Sequence, residues 1–327
     1  MKKICYLFTL ATLIFVSSCN DEWKEEQYEQ YVSFKAPLNN QGVTQINVRY
    51  KSDGIVTYEL PLVVSGSTSN NRDLTVHVST DTDTLNNLNY ERFQTRKDLY
   101  YKELESRNYS IPEIVNIPAG KSVAVLDVDF TLSDLDLVDK WILPLTIVDN
   151  ASYGYESNPR KHYSKAMLRI MPFNDYSGVY SGTGLKIFLK GYEDDAAIVR
   201  SEVPAYVVDD STVFFYAGTI DEDRVDRANY KIYAKFDGRT KEVEFSSDDP
   251  DIEFQVNKPS TFSVEEVMDE VRPYLLHRYV TINNIDYNYT DYTSVPGATI
   301  SYSIRGSLLM ERKINTQIPD EDQAIEW

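Results

Sequence analysis

Apolar and polar residues alternate with a period of two through most of this chain. Val56, Tyr58, Leu60, Leu62 and Val64 share one face of a run, and Leu74, Val76 and Val78 share another. Ala124, Leu126, Val128 and Phe130 form a third face, with Asp127 and Asp129 turned the opposite way. Alternation of this kind, punctuated by Gly, Asn and Asp clusters, predicts antiparallel sheet with one wet face. Residues 31–172 accordingly read as an immunoglobulin-like β-sandwich. Inside that span, residues 86–108 interrupt the alternation with a charged, tyrosine-bearing stretch suited to a short helix, and Ile117-Pro118-Ala119-Gly120-Lys121 predicts a turn.

Pro172-Phe173-Asn174-Asp175 is polar and proline-led, and the domain boundary is placed there, leaving 173–327 as a second β-rich domain. Tyr230, Ile232, Ala234 and Phe236 alternate up to Asp237-Gly238, and Val243 and Phe245 alternate after it, a strong hairpin signature. Ile300, Tyr302 and Ile304 predict a further strand, which Leu308 and Met310 extend. Ser263-Val264-Glu265-Glu266 has the form of a capping box, and Val264, Val267, Met268 and Val271 follow it at helical spacing before Pro273. The second domain is therefore expected to be a mostly antiparallel barrel or sandwich with one helix, its apolar stripe in the core. Periodicity does not separate the two architectures.

The chain begins with Met1-Lys2-Lys3, runs through an apolar stretch from Ile4 to Val16 and reaches the small residues Ser17 and Ser18, the layout of a secretory signal peptide over 1–18. A disulfide, a buried thiol and a lipid attachment point are the three uses open to Cys19. Cys5 lies in the leader and departs with it, so no internal disulfide is possible. Val16-Ser17-Ser18-Cys19 resembles a bacterial lipobox, which makes Cys19 the acylated N-terminus and residues 19–30 a polar tether. The acids Asp21, Glu22, Glu25 and Glu26 resemble the surface-export signal of Bacteroidetes lipoproteins, and an ordinary solvated linker has the same composition. The expected location is the outer membrane, with attachment through the lipid alone and the body of the protein outside.

Loss of Lys2 and Lys3 with the leader leaves 31 basic against 51 acidic side chains, a formal charge of −20. Such a surface repels nucleic acid and disfavours polyanionic glycans, while a neutral sugar is indifferent to it. Of the three histidines, His77, His162 and His277, none belongs to a metal-spaced pair, and His77 falls on the polar face of its strand as a surface residue. No nucleophile elbow or phosphate-cradling glycine loop is present. Asp209-Asp210, Asp221-Glu222-Asp223 and Asp248-Asp249-Pro250-Asp251 supply carboxylates for glycoside hydrolysis or calcium, but each lies in a loop where solvated acids are ordinary, and Asp-x-Asp-x-Asp-Gly spacing is absent. No catalytic residue, metal or cofactor is assigned.

The 25 tyrosines are the more informative excess, since a ring with a polar tip suits both a half-buried sheet and a wet recognition surface. Tyr287, Asn288, Tyr289, Asp291 and Tyr292, within the stretch Asn283–Tyr292, mix rings, amides and carboxylates as sugar recognition requires; a strand with an exposed turn is the competing reading. Tyr153 and Tyr155, with Asn158, form a second candidate in a loop of the first domain. Trp141 reads as core, and Trp327 ends an acidic tail.

Tyr31-Val32-Ser33-Phe34, Glu59–Gly66, Val115–Gly120 and Leu143–Ile147 resemble the immunoglobulin-like module of Bacteroidetes surface lipoproteins, a module that also precedes the catalytic domain of some endo-β-N-acetylglucosaminidases. Phe173–Tyr180 and Gly306–Arg312 are similar to the domain that accompanies it in surface glycan-binding proteins of polysaccharide-utilisation systems. The resemblance implies a non-catalytic receptor that captures mannose- and N-acetylglucosamine-containing N-glycan oligosaccharides for a partner outer-membrane transporter complex and surface glycosidases. A structural or adhesin-type protein is the alternative. No binding motif of the family transfers residue by residue.

Overall fold

A computed structural model describes residues 25–327; the leader, Cys19, Asp21 and Glu22 lie outside the described residues. The first domain contains β1 (Tyr31–Phe34), β2 (Thr44–Arg49), β3 (Val56–Val64), β4 (Leu74–Thr80), helix α1 (Thr82–Phe93), β5 (Lys102–Glu103) and β6 (Tyr109–Ser110). It continues with β7 (Ile114–Ile117), β8 (Val123–Phe130), β9 (Trp141–Ile147), β10 (Glu156–Ser157), the short helix α2 (Lys161–Ser164) and β11 (Lys165–Phe173). One sheet has the order β10-β1-β3-β8-β6; the other runs β2-β11-β9-β4-β7, with β5 on β9. The alternating residues do what their period predicts: Leu60, Leu62, Leu126, Val128 and Phe130 bury against Val76, Leu143, Leu145 and Leu168 of the facing sheet. Helix α1 starts at the cap Asp81, whose Oδ1 accepts from Thr84 N at 3.0 Å.

Glu26 lies within the expected free tether, yet it is docked. Its carboxylate accepts from Ser67 N (2.8 Å), Ser67 Oγ (2.9 Å), Thr68 N (3.0 Å) and Thr68 Oγ1 (2.8 Å), just beyond the end of β3. Those bonds favour the charged form and hold the group well below the usual carboxylate range. Strand direction then fixes the position of the second domain. β4 leaves the Glu26 end, β9 runs back antiparallel to β4, and β11 runs away again, antiparallel to β9. The chain therefore enters the second domain at Phe173, at the pole opposite Glu26.

That domain contains β12 (Gly178–Ser181), β13 (Leu185–Leu189), β14 (Glu202–Val207), β15 (Thr212–Tyr216), β16 (Lys231–Phe236) and β17 (Glu242–Ser246), then β18 (Gln255–Val256), β19 (Ser260–Met268), β20 (Leu275–Val295), β21 (Ala298–Asn315) and β22 (Ile325–Glu326). Strands β12, β14, β15, β16, β17, β19, β20 and β21 pair antiparallel in chain order, and Ser181 opposite Leu309 returns β21 to β12. The sheet is a closed up-and-down barrel rather than a sandwich. Phe215, Ile232, Phe236, Phe245, Phe262 and Tyr287 belong to its core. The hairpin expected at Asp237-Gly238 joins β16 to β17, with Phe236 opposite Val243.

The chain is all-β, as the alternation predicts, but the expected helix at Ser263–Val271 is not formed. Ser263 to Met268 continue β19, paired residue for residue with β20 from Thr281 to Leu276. Val264, Val267, Met268 and Val271 are exposed rather than core. A capping box is a local preference worth about 1 kcal/mol. Here it loses to a ladder of backbone hydrogen bonds and to the cross-strand pair of Glu266 Oε1 with Arg278 Nε at 2.7 Å.

The two domains share a polar seam. Glu222 of the barrel meets Arg169 (3.0 Å) and Lys140 (3.4 Å) of the sandwich, and Arg227 donates to the Val138 carbonyl at 2.9 and 3.1 Å. Trp327 is docked edge-on against Phe173, 4.7 Å between centroids, and Arg312 lies over both rings.

Candidate functional site

Asn283–Tyr292 is not a loop. It lies in β20, laddered to β21, with a bulge between Ile282 and Ile285. Tyr287 and Tyr289 are each 1% exposed, so neither ring is available to stack on a sugar. Tyr287 packs against Phe245 and Phe254, and Tyr289 stacks on Tyr302 at 5.2 Å. Asp291 is also buried; burial opposes its charge, but bonds from Ser294 N (2.9 Å), Thr293 N (3.1 Å) and Tyr230 Oη (2.9 Å) hold it well below the ordinary range. Tyr292 Oη donates to Asp249 and accepts from Asn229 Nδ2, each at 2.9 Å; burial and the Asp249 contact push it up to about 12. Asn288 donates to Asn257 Oδ1 at 3.2 Å and is only partly covered. The stretch is thus largely barrel core and turn scaffold. Ile285, Tyr287, Tyr289 and Asp291 have the period of two that marks a buried strand face.

Of the second candidate, Tyr153 lines a concavity, whereas Tyr155 and Asn158 do not. Asn150 shapes the turn after β9: its carbonyl accepts from Tyr153 N at 2.8 Å, and its Oδ1 from Ser152 N at 2.9 Å. Tyr155 is buried; its hydroxyl donates to the Val148 carbonyl (2.6 Å) and accepts from His77 N (2.9 Å), locking the turn onto β4. Burial pushes its phenol up. Tyr153 lies stacked on the His77 imidazole, 3.9 Å between centroids with 6° between planes. His77 is accordingly half-buried rather than a free surface residue, and its Nδ1 is buried without a protein partner.

An open cleft of about 610 Å³ lies beside this stack, lined by the rings of His77, Tyr153 and Tyr109, by Ser79, Thr80, Ser106, Ser110 and Glu113, and by the aliphatic Val78, Ile111 and Val148. Rings present apolar C–H-binding surface, while Ser and Thr hydroxyls both donate to and accept from ligand hydroxyls and the Glu113 carboxylate accepts from them. The arrangement suits a neutral, hydroxylated ligand. His77 and Tyr109 were missed from sequence because they lie far from Tyr153 along the chain and meet it only through the pairing of the sheets.

The acidic clusters are occupied with structural work. Asp209 Oδ1 accepts from Ser211 N and Thr212 N, both at 2.8 Å; Asp249 caps Asp251 N at 2.8 Å; and Asp221 accepts from Asp223 N at 3.0 Å. Trp141 is half-buried, packed against the sandwich core, with its indole N–H donating to the Asp136 carbonyl at 2.9 Å.

A model described as a domain of unknown function, DUF4973, matches residues 23–151, and a C-terminal domain model matches residues 164–309. A solved protein of unknown function from Bacteroides ovatus aligns over 91% of this chain and 100% of its own, at 46% identity and a TM-score of 0.82. The chain belongs to this family of two-domain Bacteroides proteins. Another member, from Bacteroides thetaiotaomicron and described as an auxiliary nutrient binding protein, aligns over 92% of this chain and 100% of its own, at 45% identity and a TM-score of 0.81. A third, from Bacteroides ovatus and described as a multidomain protein including DUF1735, covers 91% and 100% at 44% identity and a TM-score of 0.81. No curated protein matches the sequence. Family membership thus covers both the sandwich that carries the Tyr153 cleft and the barrel.

Proposed function

We propose that this protein is a non-catalytic lipoprotein of the outer membrane that captures a neutral oligosaccharide at the cell surface through the Tyr153 cleft. The observation that carries the reading is the full-length likeness, at 45% identity, to a protein described as an auxiliary nutrient binding protein. The cleft adds a chemical reason for the nutrient to be a sugar: aromatic rings and hydroxyl-bearing side chains line the same concavity of the sandwich. Mannose- and N-acetylglucosamine-containing N-glycan chains are the leading ligands, held for an outer-membrane transporter complex and surface glycosidases.

Acylation at Cys19 supplies the anchor. With Glu26 fastened to the β3 end of the sandwich, six residues separate the lipidated cysteine from a fixed point, a reach of about 20 Å at full extension. The barrel then stands at the far pole from the membrane. Calorimetry of Tyr153→Ala and Glu113→Gln against an N-glycan oligosaccharide tests the site. Both should weaken binding at least tenfold with an unchanged melting profile; parental affinity in both would remove the cleft from the account.

A further inference from the structure

We propose that the outer face of the barrel carries a second subsite, built on the β20 bulge from Arg305, Lys258, Asn283, Asn284 and Ser307, that takes a single carboxylate-bearing sugar residue. The inference rests on the reading that the protein binds glycans. It runs against the whole-chain charge, a formal −18, which on its own disfavours acidic ligands.

The local arrangement has the opposite sign. The bulge between Ile282 and Ile285 sets Asn284 at φ 60°, a left-handed conformation in which Asn is enriched. The two asparagines at the bulge line a polar concavity of about 570 Å³ with Lys258, Asp286, Arg305 and Ser307. At its base Asp286, 7% exposed, accepts from Asn257 Nδ2 at 2.9 Å and pairs with Lys258 Nζ at 3.1 Å and Arg305 Nε at 3.7 Å. Two cations thus share one carboxylate, which leaves one positive charge in excess. Lys186 lies opposite Arg305 on β13 and adds a further positive charge. Glu193 is held below the ordinary range first by backbone hydrogen bonds and also by both Arg305 and Lys190.

The cationic heads are accessible, with side chains 70% exposed for Lys258 and 50% for Arg305. Among the described residues the side chains of Arg305, Asn283, Asn284 and Ser307 make no hydrogen bond, and Arg305 reaches Asp286 only as an ion pair at 3.7 Å. A guanidinium with its terminal nitrogens free is matched to a carboxylate in bidentate geometry, while amides and a hydroxyl suit the ring hydroxyls of a uronic or sialic acid. Asp286 fixes the two cations in place, and the whole-chain formal charge of −18 disfavours a polyanion. One carboxylate among neutral sugars is the chemistry that fits.

The test titrates the soluble chain from residue 20 with glucuronate and N-acetylneuraminate, and with their methyl esters as uncharged controls, at low and high salt. Amide NMR of Asn283 and Asn284 and calorimetry are the readouts. The acids should bind at least tenfold more tightly than the esters, weaken as salt rises, and lose at least tenfold in Arg305→Gln while Arg305→Lys keeps part of the affinity. Tyr153→Ala should leave these values unchanged. Equal binding of acid and ester, or no shift at Asn283 and Asn284 with either acid at millimolar concentration, would overturn the subsite. Neutral N-glycan binding in the same samples reports separately on the broader glycan reading, which can stand when the subsite falls.

Discussion

Removing the charge of Glu222 should loosen the barrel from the sandwich. Its carboxylate lies 3.0 Å from Arg169 Nη2 and 3.4 Å from Lys140 Nζ, and those cations have side chains only 8% and 6% exposed. Glu222→Gln keeps the shape and leaves both cations in the seam without their shared partner. Breaking a buried pair from one side costs about 3–5 kcal/mol. The low end applies here, because Glu222 is 28% exposed, Lys140 retains Asp223 at 3.1 Å and Arg169 retains the Gln41 side-chain Oε1 at 3.0 Å. A loss of about 3 kcal/mol corresponds to roughly 6 °C in Tm for a chain of this size. Burial opposes the charge on Glu222, but Arg169 and Lys140 outweigh it, so its pKa lies below the ordinary carboxylate value. A lowered folded-state pKa contributes stability that is complete above the unfolded value, about 4.3, and disappears as pH falls through the folded one. Melting followed by circular dichroism from pH 7 downward should therefore show parent and variant converging in acid, while exposed Glu265→Gln tracks the parent throughout. A Tm within about 1 °C of the parent at pH 7, or a gap that persists unchanged in acid, would refute the argument.

Further outcomes concern the barrel core and the docked N-terminal segment. Tyr287 Oη is buried with no hydrogen-bond partner, so Tyr287→Phe should leave stability unchanged or raise it by up to about 1 kcal/mol in urea unfolding. Tyr289→Ala should cost about 3–5 kcal/mol by the same measurement, since it hollows a core position 1% exposed. A binding defect in that variant would report unfolding, so it is unsuited to mapping a sugar site. Glu26→Gln should accelerate limited proteolysis between residues 25 and 31 while leaving the melting of both domains near parental values. Cleavage at the parental rate would mean that the Ser67 and Thr68 bonds do not hold the segment.

The architecture was legible wherever local period and tertiary position agree. Leu126, Val128 and Phe130 alternate because one face of β8 meets the opposite sheet, and Asp237-Gly238 opens the five-residue polar turn of its hairpin. Barrel closure was not legible, because it rests on Ser181 meeting Leu309, a contact with no local signature. The Ser263 capping box failed for a related reason: its helical stripe and its strand pairing are written in the same valines and glutamates, and only the neighbouring β20 selects between them. At the candidate sites, density of tyrosine and asparagine misled for Tyr287 and Tyr289, where the period of two was the better guide. Tyr153 was legible as a turn residue, but the His77 ring that stacks on it comes from another strand. Net charge misdirects in the same way at Arg305, whose surroundings differ in sign from the chain average.

Sugar capture without chemistry at the Tyr153 cleft has a direct experimental readout. It is tested most directly by a glycan array with the soluble chain beginning at residue 20, followed by calorimetry and mass analysis of the recovered glycan for each hit. Binding to one class of mannose- or N-acetylglucosamine-containing glycan is expected, with loss of that binding in Tyr153→Ala and recovery of the glycan intact. A folded protein that binds no glycan on the array, or one that returns a cleaved product, would contradict it.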